Sequence, residues 1–171
     1  MDAEVINRID HQPAPATSIV IEWENVAWAE ANRAKQMLLA LGTQLRELAG
    51  WFEADPEILV LFDPEEVTEV KLQEFTNGCL NLSDDDPFSV HLIASGGATY
   101  YEQKNRGARR AGGEVVVFLD SDVIPEDEWL EHIVAPFHDA TVDVVSGFTY
   151  MAGDSVYERA FQYFWKFPLA G

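Results

Sequence analysis

Three aspartates follow directly on apolar runs: Asp63 after residues 57–62, and Asp120 and Asp122 after residues 115–119. Carboxylates gathered in one place repel one another unless a cation or hydrogen-bond donors join them. A divalent metal is such a cation, and its hard oxygen ligands are carboxylates and phosphates. Along an extended chain Asp120 and Asp122 fall on one side, with Ser121 turned away. One carboxylate then reaches a metal while its neighbour reaches the same ion or a ribose. Basic charge is concentrated nearby, since Lys104, Arg106, Arg109 and Arg110 are four of the chain's 11 basic residues. Helical spacing sets Lys104 on a stripe with Tyr101, Ala108 and Ala111, at the end where a diphosphate would find compensating charge. Arg106 and Arg110, four apart, read as a solvated face, and Arg109 stays open. Plainer readings stand beside these. Asp63 before Pro64-Glu65-Glu66 is also an N-cap, Asn25 is a helix cap, and Asp-x-Asp by itself is frequent in solvated turns.

Elements that could gather these residues alternate along the chain as strand, then helix, five times. Residues 18–23 form the first predicted strand, and its helix runs from near Val26 to near Trp51. That helix carries Met37, Leu41, Leu45, Leu48 and Phe52 on one stripe. Residues 57–62 form a second strand, and Pro64 with Glu65 and Glu66 opens a second helix. Residues 77–87 read as a loop and 88–94 as a third strand, which runs into Ser95-Gly96-Gly97. Thr99 and Glu102 have capping-box spacing, and the helix they open ends at Gly112-Gly113 as a C-cap. Residues 115–119 make the most hydrophobic strand. Pro125 starts the next helix, with Leu130, Ile133, Val134 and Phe137 on its inner face, and residues 142–146 make a fifth strand.

This rhythm implies an α/β fold: a Rossmann-like, mostly parallel sheet with helices on both faces. Parallel strands end on one edge, where ligands bind. Glu24 and Asn25 follow the first strand there, Asp63 the second, and Asp120 and Asp122 the fourth. Around this body, residues 1–16 read as a flexible leader, 17–150 as the ligand-binding domain and 151–171 as an aromatic helix.

A chain of 171 residues, 47% hydrophobic, suits one domain with a sizeable core. Its 30 acidic residues against 11 basic ones give a net charge of -19, which disfavours nucleic acid as a partner. Cys79 is alone, so an internal disulfide is impossible and a reducing compartment fits. The histidines are scattered and form no zinc-type spacing with Cys79. With an acidic amino end and no long apolar run, a cytoplasmic location is the expectation.

The densest pattern is Lys104-Asn105-Arg106-Gly107, then Ala111-Gly112-Gly113-Glu114, then Val117-Phe118-Leu119-Asp120-Ser121-Asp122. It resembles the basic-Asn-x-Gly, Ala-x-Gly-Glu and Leu-Asp-x-Asp run of family 2 glycosyltransferases of the GT-A fold. The resemblance covers residues 18 to about 150. It implies a nucleotide-binding role for Glu24, Asp63, Lys104 and Asp120, with Asp120 and Asp122 on the metal. It also implies a divalent manganese or magnesium cofactor, a nucleoside diphosphate sugar donor and inversion at the anomeric carbon. Departures occur at Glu22-Trp23-Glu24-Asn25, where the family has Pro-x-Tyr-Asn, and at Pro64-Glu65-Glu66, where it has Asp-Gly-Ser. No carboxylate after Asp122 carries a clear catalytic motif, so the domain reads as truncated before its catalytic base. The terminal aromatics, among them Phe161, Tyr163, Phe164, Trp165 and Phe167, read as a core helix, with peripheral membrane contact as a second reading. Two other functions compete: a non-catalytic nucleotide-sugar-binding module, and a haloacid-dehalogenase-like phosphatase with Asp120 as nucleophile.

Overall fold

The computed structural model describes residues 13–24 and 31–149. Four strands form a parallel sheet: β1 (Thr17–Glu22), β2 (Glu57–Phe62), β3 (Ser89–Ala94) and β4 (Val115–Asp120), in the order β3-β2-β1-β4. Between and after them lie α1 (Ala31–Glu47), α2 (Glu69–Leu80), α3 (Tyr100–Arg110) and the short α4 (Trp129–Val134). Every residue of β1 is buried because the strand is central and covered on both faces. Ile19, Ile21, Ile58, Val60, Val117 and Leu119 share one core with the inner faces of α1, α2 and α4. The alternate residues, Val20, Leu59, Leu61 and Val116, face the other way, toward α3.

The strand order explains the two faces. From β1 the chain steps outward to β2 and β3, then α3 carries it back over the opposite face to β4, beside β1. Right-handed crossovers require that change of face. The reversal puts the topological switch point, where open α/β sheets form a ligand-binding crevice, beyond the carboxyl ends of β1 and β4. α3 crosses closely because Gly107 has no side chain. A Cβ there would lie 2.3 Å from Val20 Cγ1 and 2.8 Å from Leu61 Cδ1.

Several boundaries differ from expectation. Residues 64–67 form a separate turn, in which Glu66 and Val67 both donate to the Asp63 carbonyl, and α2 starts later with Thr68 as its N-cap. Gly112 and Gly113 are not a left-handed C-cap, since Ala111 at φ -54° caps α3. Gly113 is needed for close approach, because a Cβ would lie 2.6 Å from Ser18 N and 2.8 Å from the Ala16 carbonyl. Residues 142–146 are not a strand, and Val144 is exposed. A short apolar run carries no periodicity strong enough to fix its conformation. Ala14, placed in the leader by the sequence reading, is buried and pairs with the 51–53 segment through two backbone hydrogen bonds of 2.7 Å. Asn25 and the aromatic helix expected at 151–171 lie outside the described residues.

Candidate functional site

The β1/β4 crevice is built from the ends of those two strands and the first turns of α3. Asp120 closes β4, and its Cα pairs in register with Glu22, which closes β1. Residues 116, 118 and 120 alternate toward the α3 face, which directs Asp120 at that helix. There its Oδ1 accepts a hydrogen bond from Tyr100 Oη at 2.8 Å and pairs with the Lys104 ammonium. Lys104 also donates to the Tyr100 hydroxyl and lies 4.2 Å from the centre of that ring. Tyr100 and Lys104 are four apart, so both project from one side of α3.

The electrostatics follow from this trio. Burial works against the Lys104 charge, but hydrogen bonds to Asp120 and Tyr100, and the Asp120 charge, outweigh it and raise the ammonium pKa. Burial, and after it the neighbouring carboxylate, push the Tyr100 phenol up to about 12, against an opposing hydrogen bond from Lys104. Lys104 therefore stays a cation throughout the physiological range.

Several polar groups at the same sheet edge are buried. Glu22 is fully buried, and its Oε1 lies 3.5 Å from the Ser121 N–H. Ser121 Oγ, Gln103 Oε1 and Glu24 Oε2 are buried and make no hydrogen bond among the described residues. A buried polar atom without a partner costs about 1–3 kcal/mol. Three such atoms lie at the carboxyl ends of β1 and β4 and on the first turns of α3, which makes this edge the candidate site.

The predicted residues are brought together only in part. Lys104 and Asp120 meet, but Lys104 does not share a stripe with Tyr101, which is 75% exposed. The stripe is set instead by Gln103 and Gly107, the buried residues of α3. Asp122 does not follow Asp120 in extended chain: Val123 donates to the Asp120 carbonyl at 3.1 Å, closing a turn over Ser121 and Asp122. The alternation expected for the pair therefore does not apply, and the turn sets the position of Asp122. Asp63 lies on the same edge two strands away, roughly 10 Å by the interstrand spacing. Its Oδ1 accepts from Glu65 N and its Oδ2 from Gly97 N, both at 2.9 Å. Asp63 is thus an anchor between the loops after β2 and β3, and not the cap of α2. Glu24 follows β1 and is half-buried. Arg106, Arg109 and Arg110 are exposed, which settles Arg109 as part of the solvated face.

Sequence reasoning missed Tyr100, Gln103 and Glu22. The signals were present: Tyr100 is one turn before Lys104, and Glu22 continues the alternation of Ser18 and Val20 toward the α3 face.

Comparison with known proteins bears on the same residues. Glycosyltransferase AglE of Haloferax volcanii is 37% identical over 62 residues, covering 34% of this chain and 20% of AglE. Residues 1–349 of S. aureus TarS superpose with a TM-score of 0.49 and 18% identity, over 81% of this chain and 40% of that one. The match thus spans well under half the length of either protein. The model of Glycosyl transferase family 2 matches residues 29–170, a span that takes in Asp63, Lys104, Asp120 and Asp122 and leaves out β1 and Glu24. With most of its length matched by that family, and its charged residues gathered at the edge where a parallel sheet binds ligands, the chain belongs to glycosyl transferase family 2.

Proposed function

We propose that the chain binds a nucleoside diphosphate sugar at the β1/β4 crevice and serves transfer of that sugar to an acceptor, with metal dependence and inversion at the anomeric carbon. The observation that carries this reading is the meeting of Lys104 with Asp120 at the topological switch point. A cation held beside a carboxylate at that edge suits a ligand whose negative charge is partly neutralised by a metal. Asp63 and Glu24 flank the crevice on the β2 and β1 sides and are assigned to the nucleoside end.

The donor set fits a divalent ion shared with the diphosphate. Among the described residues no three His, Cys, Asp or Glu side chains converge to hold a metal. Magnesium-type ions are commonly held by one or two carboxylates with the remaining ligands from substrate phosphates and water. Asp120 and Asp122 supply two such carboxylates. A bound divalent ion would stabilise charge on the departing diphosphate. Lys104 adds a second positive group to the same oxygens, and the Glu22 carboxyl accepts the Ser121 N–H in the turn that carries both aspartates.

Family membership leaves no place for the phosphatase reading of Asp120. It does not separate an active transferase from a binding module, since binding and acid–base residues are different sets. A single buried thiol, Cys79, suits a cytoplasmic setting, which we include in the proposal. No helix among the described residues is long and apolar enough to cross a membrane.

The test is calorimetry with nucleoside diphosphates in manganese and then in chelator. Tighter binding with the metal is expected, and equal affinity in the two conditions sinks the reading. A donor-hydrolysis assay then distinguishes transferase from binding module.

A further inference from the structure

Lys104 has a long stem that must be ordered before its ammonium can serve an anion, and ordering it costs rotamer entropy. The structure shows what orders it. Tyr100 lies one turn earlier on α3, with its hydroxyl accepting from Nζ and its ring centre 4.2 Å away. Its backbone is fixed by the capping box, in which the Thr99 N–H donates to the Glu102 carboxylate at 2.8 Å. Its ring is braced edge-on by Tyr101, with centroids 5.0 Å apart. The same hydroxyl donates to Asp120 Oδ1 at 2.8 Å.

We propose that Tyr100 is a positioning residue for the diphosphate site, its hydroxyl and ring holding the Lys104 ammonium where either the Asp120 carboxylate or a diphosphate meets it. This rests on the donor-binding reading above. When the ammonium turns from Asp120 toward a diphosphate, the phenol still donates to Oδ1, so the half-exposed carboxylate keeps a hydrogen-bond partner. Neither group has to be reorganised from solvent, which is the advantage of a preordered site. Tyr100 acts through Lys104 and touches no ligand in this account.

The test is a double-mutant cycle read by calorimetry, with uridine, guanosine, cytidine and thymidine diphosphates each titrated in manganese. The chains are wild type, Tyr100→Phe, Lys104→Met and the double variant. Phenylalanine keeps the ring and loses the hydroxyl. It should weaken the best-bound diphosphate roughly three- to tenfold, the scale of one ordinary net hydrogen bond. In the Lys104→Met background the same change should have a clearly smaller effect, because the ammonium it positions is gone and only its bond to Asp120 remains. Equal affinity of Tyr100→Phe and wild type overturns the proposal, and so does an undiminished Tyr100→Phe effect without Lys104. A Tyr100→Phe chain that fails to fold also overturns it, since the hydroxyl would then be a folding determinant. Wild type binding none of the four diphosphates brings down the donor reading itself, an outcome distinct from the others.

Discussion

The Asp63 carboxylate accepts the Gly97 N–H at 2.9 Å, tying the loop after β2 to the loop after β3. Hydrogen bonds from the Glu65 and Gly97 backbones, in that order, hold this carboxyl below its usual range. A depressed carboxylate contributes stability that is present above its unfolded pKa, about 4, and lost as pH falls through the folded value. Asp63→Asn should therefore show a shallower fall of Tm with acid, from about pH 5 to about pH 3. Thermal unfolding by circular dichroism across that range checks it, and superimposable pH profiles for the two chains refute it.

Tyr100 gives a signature at the other end of the scale. Its phenol, pushed up to about 12 by burial and then by Asp120, should ionise well above the usual tyrosine value. A phenol with a raised pKa favours the folded state below its usual value of about 10, and that contribution disappears as pH rises through about 12. Lys104, also raised, changes in the same direction. Tyrosinate absorbance followed during an alkaline titration should lose a step near pH 12 in Tyr100→Phe. An unchanged titration curve contradicts the assignment.

Gly113→Ala should destabilise the fold by about 1–3 kcal/mol or more, because the added methyl meets backbone atoms and has no flexible neighbour to displace. The obstructing groups are Ser18 N and the Ala16 carbonyl. Urea unfolding measures the change, and a loss below about 0.5 kcal/mol, ordinary for a surface site, counts against it.

Asp120→Asn and Asp122→Asn should each weaken metal-dependent diphosphate binding by at least about tenfold, since second-shell changes alone commonly cost that much. Calorimetry in manganese measures it, with unfolding temperature as the control for fold. If Asp122→Asn binds as wild type does, Asp122 is no ligand.

A net charge of -19 makes the chain repel itself. Raising salt from about 0.01 M to about 1 M shortens the Debye length from about 30 Å to about 3 Å and should raise the unfolding temperature. A Tm that falls steadily over that range would show that the acidic residues are paired more extensively than their excess suggests.

Much of this architecture is legible in the sequence, because buried parallel strands are unbroken apolar runs. Residues 57–62 and 115–119 could be read by eye, and so could the sheet edge that Asp63 and Asp120 must share. The Thr99–Glu102 capping box was readable because it is local. Tertiary choices were not. Tyr101 and Tyr100 are equally aromatic, and only the approach of Gly107 to Val20 decides which of them turns inward. The turn at Ser121 depends on one backbone hydrogen bond that Asp-x-Asp spacing does not encode. Residues 142–146 look like a strand by composition, but a strand needs a neighbour to accept its hydrogen bonds.

The bare backbone of Gly107 resting on Val20 and Leu61 makes a fulcrum of the middle of α3. The helix is rigid, so a bulkier residue at that point would tilt it as a lever, lifting its first turn away from β4. Lys104 lies on the first-turn side of that pivot, so a purely steric change, with no charge altered, would shift the ammonium relative to Asp120. The spacing of Lys104 and Gly107 thus couples how tightly the helix seats to how far the ammonium reaches.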